Sequence, residues 1–387
     1  MKKINYNRHS IDKKDISSVI SALKSDYLTK GPKIKEFEKA LKIKFKAKYC
    51  SLVSNGTAAL HLTGLALGWK KNDLILSSPI TFLAGPNSAV YSNAKPDFVD
   101  IDEKTYNISV PELQKKIDKL ISLKKRVKAV IVTDYAGQPS DWKNLRRLAN
   151  RYKFILINDN CHSIGAKYFN DLGYAAKYAD IVIHSYHAIK NITTGEGGAI
   201  FSRNKKFINK INSLKSHGLE KIKSRNSFNS TWPYQMFNLG FNYRITDFQC
   251  ALGITQLQKL GKFVKKRNQI AKIYRENLSN IKNLTLPHVE PNITHAYHLF
   301  PIKINFNKID ISKETIIKKF RKYNINLQVH YFPVHLQPFY KKKYNFKRNS
   351  FPKAEGFYES ALSLPIYYNL KKNQILKIVT ILKKILR

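Results

Sequence analysis

The residues with the most chemical promise lie between Ile181 and Phe201, in the stretch IVIHSYHAIKNITTGEGGAIF. A single lysine, Lys190, stands in a polar loop between two short apolar runs, Ile181–Ile183 and Ala199–Phe201. Around it are Ser185, Tyr186, His187, Thr193, Thr194 and the cluster Gly195-Glu196-Gly197-Gly198. The glycines let the backbone turn sharply. A lysine just beyond a buried strand can serve as an amine nucleophile and form Schiff bases with carbonyls and with pyridoxal phosphate. A solvated loop lysine satisfies the same pattern, so the chemistry needs further parts.

Three other stretches supply them. Asn55-Gly56-Thr57-Ala58 follows an apolar run and opens a helix. A helix N-terminus presents free N–H groups and the positive end of a dipole, which suits a phosphate. An ordinary N-cap reads the same way. Asp159, within Asn158–Ser163, closes the apolar run Phe154–Ile157. A carboxylate ~4 Å from a protonated pyridine nitrogen gains roughly 4 kcal/mol at an effective dielectric of about 20. That is about three pKa units in favour of the pyridinium. An Asp that caps the next helix is the plainer alternative. Phe82, just after Ser77-Ser78-Pro79, could lie flat on an aromatic ring, although a lone Phe is more often core. Ser185, five residues before Lys190, could add a second phosphate contact. The signal is the order: phosphate loop, aromatic, strand-end Asp, then Ser-x-x-x-x-Lys.

These positions need a frame to bring them together. Strands are predicted at Tyr49–Val53, Leu74–Ser77, Pro96–Val99, Lys128–Thr133, Phe154–Ile157, Asp180–His184 and Ala199–Ser202. Helices are predicted between most of them, at Thr57–Leu67, Pro86–Tyr91, Pro111–Leu120 and Asp141–Tyr152. The alternation predicts an α/β fold with a mainly parallel sheet covered on both faces. Ligands of such sheets bind in loops beyond the strand ends. Near the start, Asp12 caps a helix with Ile16, Val19, Ile20 and Leu23 on one face, and a second helix carries Ile34, Phe37, Leu41 and Phe45. Thr246 and Gln249 form a capping box that opens a long helix running towards Leu278. Short strands (His298–Ile304, Asn326–His330) and helices (Ser312–Tyr323, Lys372–Leu386) then make a small α+β domain. The division read from the sequence is 1–255 for the large domain and 256–387 for the small one.

Lys and Arg number 69 against 26 Asp and Glu, for a net charge of +43. The cations are spread along the whole chain, which speaks for a generally basic surface and against a nucleic-acid site. Such a charge still attracts phosphates and nucleoside diphosphates. No apolar run approaches a membrane span and the N-terminus lacks a signal-peptide core. Cys50, Cys161 and Cys250 are too scattered for a disulfide framework or zinc site. His330 and His335 fit no metal-ligand spacing. A cytoplasmic protein with no metal, membrane or nucleic-acid partner is expected.

Ser185–Lys190 with Thr193–Gly198 resembles the lysine motif of the DegT/DnrJ/EryC1/StrS sugar-nucleotide aminotransferases. Ser54–Leu60 resembles that family's phosphate loop, Asp159–His162 its Asp-x-x-His/Gln element, and Gly240-Phe241-Asn242-Tyr243-Arg244 its G-x-N-[YF]-R signature. Ala251-Leu252-Gly253 and Gln256-Leu257 resemble the helix that follows, and the likeness covers nearly the whole chain. Within the family, His184–Lys190, Asp134–Gly137, Leu28–Gly31 and Gln328–Tyr331 are most similar to the branch that serves pseudaminic acid biosynthesis. One departure is Asn160-Cys161, where the family usually has two very small residues.

The resemblance implies a fold type I enzyme using pyridoxal 5'-phosphate. Lys190 would carry the cofactor as a Schiff base, Asp159 would hold the pyridine nitrogen, and His162 would lie near the ring hydroxyl. Phe82 would stack on the ring. Gly56, Thr57, Ala58 and Ser185 would bind the phosphate, and Asn242 would reach it from a neighbouring subunit in a homodimer with shared active sites. Tyr6, Asp26, Tyr27, Leu28, Thr29, Gln328, Val329, His330 and Tyr331 would line the sugar-nucleotide pocket. L-Glutamate would donate the amino group to C4 of a UDP-linked 4-keto-6-deoxy-N-acetylhexosamine. Another nucleotide keto-sugar, of the bacillosamine or legionaminic type or linked to dTDP or GDP, stays open as the acceptor. A dehydratase branch uses histidine where Lys190 stands, which argues against dehydration. A basic nucleic-acid-binding protein on the same scaffold has only the net charge behind it.

Overall fold

A computed structural model describes residues 3–221 and 234–386 of the chain. Its central sheet has seven strands: β1 (Tyr49–Val53), β2 (Leu74–Ser77), β3 (Lys95–Phe98), β4 (Val127–Thr133), β5 (Ile155–Asp159), β6 (Ile181–Ser185) and β7 (Gly198–Ser202). They lie in the order β1-β7-β6-β5-β4-β2-β3. β7 is antiparallel to both neighbours, β1 and β6; the other pairings are parallel. The carboxyl ends of β1, β2, β4, β5 and β6 therefore open on one edge, and the loops singled out above all leave from it.

Side chains alternate across the strands with period two. Leu52, Leu76, Val130, Leu156 and Val182 face one way. They pack against α2 (Pro32–Lys44), α5 (Val110–Ser122), α6 (Trp142–Tyr152) and the first half of α8 (Asp247–Leu278). Val53, Ile75, Ile131, Ile157 and Ile183 face the other way, against α3 (Gly56–Ala66), α4 (Ala84–Tyr91) and α7 (Lys205–Leu214). Burial on both faces is why these strands read as nearly continuous apolar runs.

α8 starts at the Thr246/Gln249 capping box and runs unbroken for 32 residues. Cys250, Leu257, Leu260 and Val264 belong to the large-sheet core. Ile270, Tyr274 and Leu278 belong to a second core. That core is built on β8 (Leu284–Thr285), β9 (Phe300–Ile304), β10 (Ala361–Leu364), α9 (Lys313–Lys322) and α10 (Lys372–Leu386), and it includes Ile4. The division at 255/256 falls inside this helix. A further cluster ties the two parts together, Ile80, Phe98 and Tyr135 meeting Val334, Tyr340 and Phe357.

Two elements differ from the sequence reading. Helix α1 (Lys13–Leu23) has its Asp12 cap, but the apolar stripe faces outward: Ile16, Ile20 and Leu23 are 51%, 46% and 52% exposed. The inward face carries Asp15, fully buried. Its carboxylate accepts hydrogen bonds from Thr255 Oγ1 at 2.5 Å and Gln256 Nε2 at 2.9 Å and pairs with Lys259. A buried carboxylate must be satisfied, and α8 supplies the donors, so the helix turns that side in. Residues 326–330 form no strand beyond a bridge of Gln328 to Ser363, because the segment bends away to line the cavity described next.

Candidate active site

The loops at the carboxyl edge enclose a cavity of about 990 Å³. Its lining includes Tyr6, Gly56, Thr57, Ala58, Phe82, Thr133, Asp159, Cys161, His162, Ser185, Lys190 and the segment Gln328–Tyr331. A cavity of this size lies at the upper end of ordinary ligand pockets, about 300–1,000 Å³.

The phosphate corner is built by close approach. A Cβ on Gly56 would come within 2.9 Å of Ser185 Cβ, and one on Gly198 within 2.6 Å of the Asn55 carbonyl oxygen. Glycine at both places lets the start of α3 settle against the ends of β6 and β7. Asn55 caps α3 by accepting the Ala58 N–H at 2.7 Å. That occupies the Ala58 donor. The N–H groups of Gly56 and Thr57 have no carbonyl to bond within the helix, and Gly56 packs against Ser185.

Asp159 closes β5 and is almost fully buried. It accepts the Cys161 N–H at 3.2 Å and the Thr133 hydroxyl at 3.5 Å, and Thr133 in turn meets Thr81 at 2.8 Å. Lys190 follows β6. Burial holds its ammonium below the ordinary lysine value, while Cys161 and Asp159 draw it back up. His162 is buried and kept neutral by burial, with Lys190 adding to the effect. Its Nε2 bonds the Tyr331 hydroxyl at 3.0 Å, and its ring lies 4.4 Å from that of His298. Phe82 is 55% exposed on the cavity wall, its ring 6.1 Å from that of Tyr331. Tyr6 lies 5.2 Å from the His330 ring, and the Tyr135 hydroxyl donates to the His330 carbonyl at 2.5 Å.

The cavity thus gathers Tyr6, Gly56, Thr57, Ala58, Phe82, Asp159, His162, Ser185, Lys190 and Gln328–Tyr331. It does not gather Asp26, Tyr27, Leu28, Thr29 or Asn242, which are exposed outside it. The Leu28 carbonyl instead accepts the Asp247 N–H at 2.9 Å, and Asn242 bridges Ser216. Thr133 and His298 were not singled out in the sequence, and Tyr135 appeared only within the Asp134–Gly137 motif, because their contacts run across the sheet and between the two cores. His61 and Tyr91, not singled out in the sequence, and Tyr243 of the Gly240–Arg244 signature also line the cavity. His335 pairs with Glu355 at 3.0 Å in the core. No helix among the described residues is long and apolar enough to cross a membrane.

The parts suit pyridoxal phosphate. An amine held below its normal pKa, a buried carboxylate and a helix N-terminus with a hydroxyl share one cavity. The buried His162 Nδ1 has no hydrogen-bond partner among the described residues, which leaves a polar atom for a ligand.

The model of the DegT/DnrJ/EryC1/StrS aminotransferase family matches residues 9–383. The chain belongs to that family; it is a pyridoxal phosphate-dependent sugar aminotransferase. It is 38% identical over 379 residues to an uncharacterized protein of Methanocaldococcus jannaschii, covering 98% of this chain and 96% of the relative. It is 34% identical over 386 residues to the UDP-4-amino-4,6-dideoxy-N-acetyl-beta-L-altrosamine transaminase of Campylobacter jejuni, covering 99% and 98%. Among solved structures it is similar to Helicobacter pylori PseC, an aminotransferase involved in the biosynthesis of pseudoaminic acid. The TM-score is 0.89 at 28% identity, with 99% of each chain covered.

Proposed function

We propose that the protein transfers the amino group of L-glutamate to C4 of a UDP-linked 4-keto-6-deoxy-N-acetylhexosamine. The product would be UDP-4-amino-4,6-dideoxy-N-acetyl-β-L-altrosamine, a precursor of pseudaminic acid. The observation that carries this reading is the placement of Gln328–Tyr331. This segment, whose sequence resembles the pseudaminic-acid branch, lines the Lys190 cavity and is tied to His162 through Tyr331. The likeness to the Campylobacter transaminase over nearly the whole chain supports the same substrate.

Bound pyridoxal phosphate supplies an electron sink for the carbanion formed when a Cα–H bond breaks. The Gly56 and Thr57 N–H groups and the Ser185 hydroxyl would hold its phosphate. Asp159 would hold its ring nitrogen, Phe82 would stack on the ring, and His162 would lie by the ring hydroxyl. Lys190, with its depressed pKa, takes the proton from the donor Cα and later delivers a proton to the sugar C4. Tyr6 and Gln328–Tyr331 hold the sugar nucleotide and dictate which face of C4 receives that proton. The exposed Asp26–Thr29 segment and Asn242 act in the cavity of a second copy, Asn242 at the phosphate, so the working unit is a homodimer.

One preparation tests the reading. The protein, loaded with cofactor and given glutamate and the UDP-4-keto sugar or its C5 epimer, is expected to sediment as a dimer and to yield the altrosamine product by NMR. An amino sugar of another configuration, or product only from a dTDP- or GDP-linked ketone, would reassign the substrate. An active monomer would remove the shared site.

A further inference from the structure

Behind the Asp159–His162 segment lies a carboxylate that the mechanism above does not use. Asp134 follows β4 and is 0% exposed. Its Oδ1 accepts the Ser140 N–H at 2.8 Å and the Trp142 Nε1–H at 3.1 Å. Its Oδ2 accepts the Tyr174 hydroxyl at 2.6 Å, the Ser163 hydroxyl at 3.0 Å, and the amides of Asn158 at 3.1 Å and Asn160 at 3.4 Å. A carboxylate this deep is costly unless its lone pairs are filled, and here six donors converge on it.

The identity of the donors matters more than their number. Asn158 precedes Asp159 and Asn160 follows it, while Ser163 follows His162. Along a strand, residues two apart point to one side and the residue between them to the other. Asp134 draws Asn158 and Asn160 to the rear, which turns Asp159 towards the cavity. Ser163, held by the same oxygen, fixes the backbone on the far side of His162. The Tyr174 hydroxyl cross-braces the set, accepting from Asn160 Nδ2 at 2.9 Å and donating towards Ser163 Oγ at 3.1 Å as an alternative to Asp134. This gives position 160 a role that a very small residue could not fill. Asn160 supplies a donor to Asp134 and joins the brace.

We propose that Asp134 is a positioning residue for amino transfer: through Asn158, Asn160 and Ser163 its buried carboxylate fixes the angle at which Asp159 and His162 meet the cofactor. The proposal rests on the reading that these two residues face pyridoxal phosphate. In Asp134→Asn an N–H₂ replaces one acceptor, so one of the two donor sets loses its partner. Asn160→Ala removes a single donor and leaves Asp134 with the other five.

The experiment loads wild type and both variants with pyridoxal phosphate. It follows the pH midpoint of the cofactor's visible band, kcat, KM for both substrates, and thermal melting. Asp134→Asn is expected to lower kcat by about 10²-fold, the scale of a misplaced catalytic group, with little change in KM. The spectral midpoint should move as well, because the ring meets a displaced Asp159. Asn160→Ala should show the same pair of changes at smaller size, and it carries the test if Asp134→Asn does not fold. Wild-type kcat and midpoint in Asn160→Ala, or in a folded Asp134→Asn, with only melting lowered, would overturn the proposal. A wild type with no visible band would instead overturn the underlying cofactor reading, and the proposal with it.

Discussion

Lys190 is the residue on which the others converge, and its environment explains why a lysine can work there. An ordinary lysine is almost wholly protonated at neutral pH and poor at accepting a proton. Burial lowers its pKa, while Cys161 and Asp159 limit the fall, which favours the proton exchange proposed for it. Removing it should leave the fold intact, since Lys190 contributes little to either core. Lys190→Ala is expected to bind pyridoxal phosphate yet lose the visible band of the wild type and all amino transfer, as read by absorbance and by coupled glutamate turnover. A variant that kept the wild-type band would take Lys190 out of its role.

At the level of elements, α1 is held by its polar side. Asp15→Ala would remove the buried acceptor shared by Thr255, Gln256 and Lys259, which keep the Leu252 carbonyl, the Ser10 carbonyl and Asp12 as their other partners. Losing a buried acceptor whose donors keep other partners costs about 1–3 kcal/mol, and a loss of that size is expected in urea unfolding. A loss below about 1 kcal/mol would show that α1 is held by its other contacts. The same helix marks the limit of what its sequence could reveal. Its spacing of Ile16, Ile20 and Leu23 is a sound amphipathic signal, but the choice of face rests on donors some 240 residues away. The sheet was more legible: β1 and β2 lie where their apolar runs place them, because strands buried on both faces announce themselves locally. β10 and α7 passed unread, both lying beyond the last strand of the alternation. Lys190, Asp159 and Gly56, which the fold brings to one cavity, could be singled out because each sits at a strand end or helix start. Asp134 was visible only as part of a motif, and its network was not, because its donors are spread from Ser140 to Tyr174 and meet only in the fold.

For the molecule as a whole, acid is the expected weakness. His184, His295 and His330 are buried, with pKa values lowered to about 3, and burial pushes His162 and His298 well down too. Unfolded, each would titrate near 6.5. Below about pH 6.5 the unfolded chain therefore binds more protons than the folded one, and stability falls with falling pH. The net charge of +43 adds self-repulsion of the same sign. Melting temperature should drop steadily from pH 6.5 to about 4.5 at constant ionic strength. A flat profile would mean that these imidazoles are already protonated in the fold.

The uninterrupted course of α8 through both cores bears on inheritance. At 1.5 Å per residue its 32 residues span about 48 Å, with the first half greased to one sheet and the second half to the other. A crossover between two relatives at the domain boundary would have to join half-helices shaped for different partners. The half that carries Lys190 and the half that carries Gln328–Tyr331 are therefore poor candidates for exchange as modules. New substrate preferences in such a chain would arise by point changes around the cavity rather than by swapping a domain.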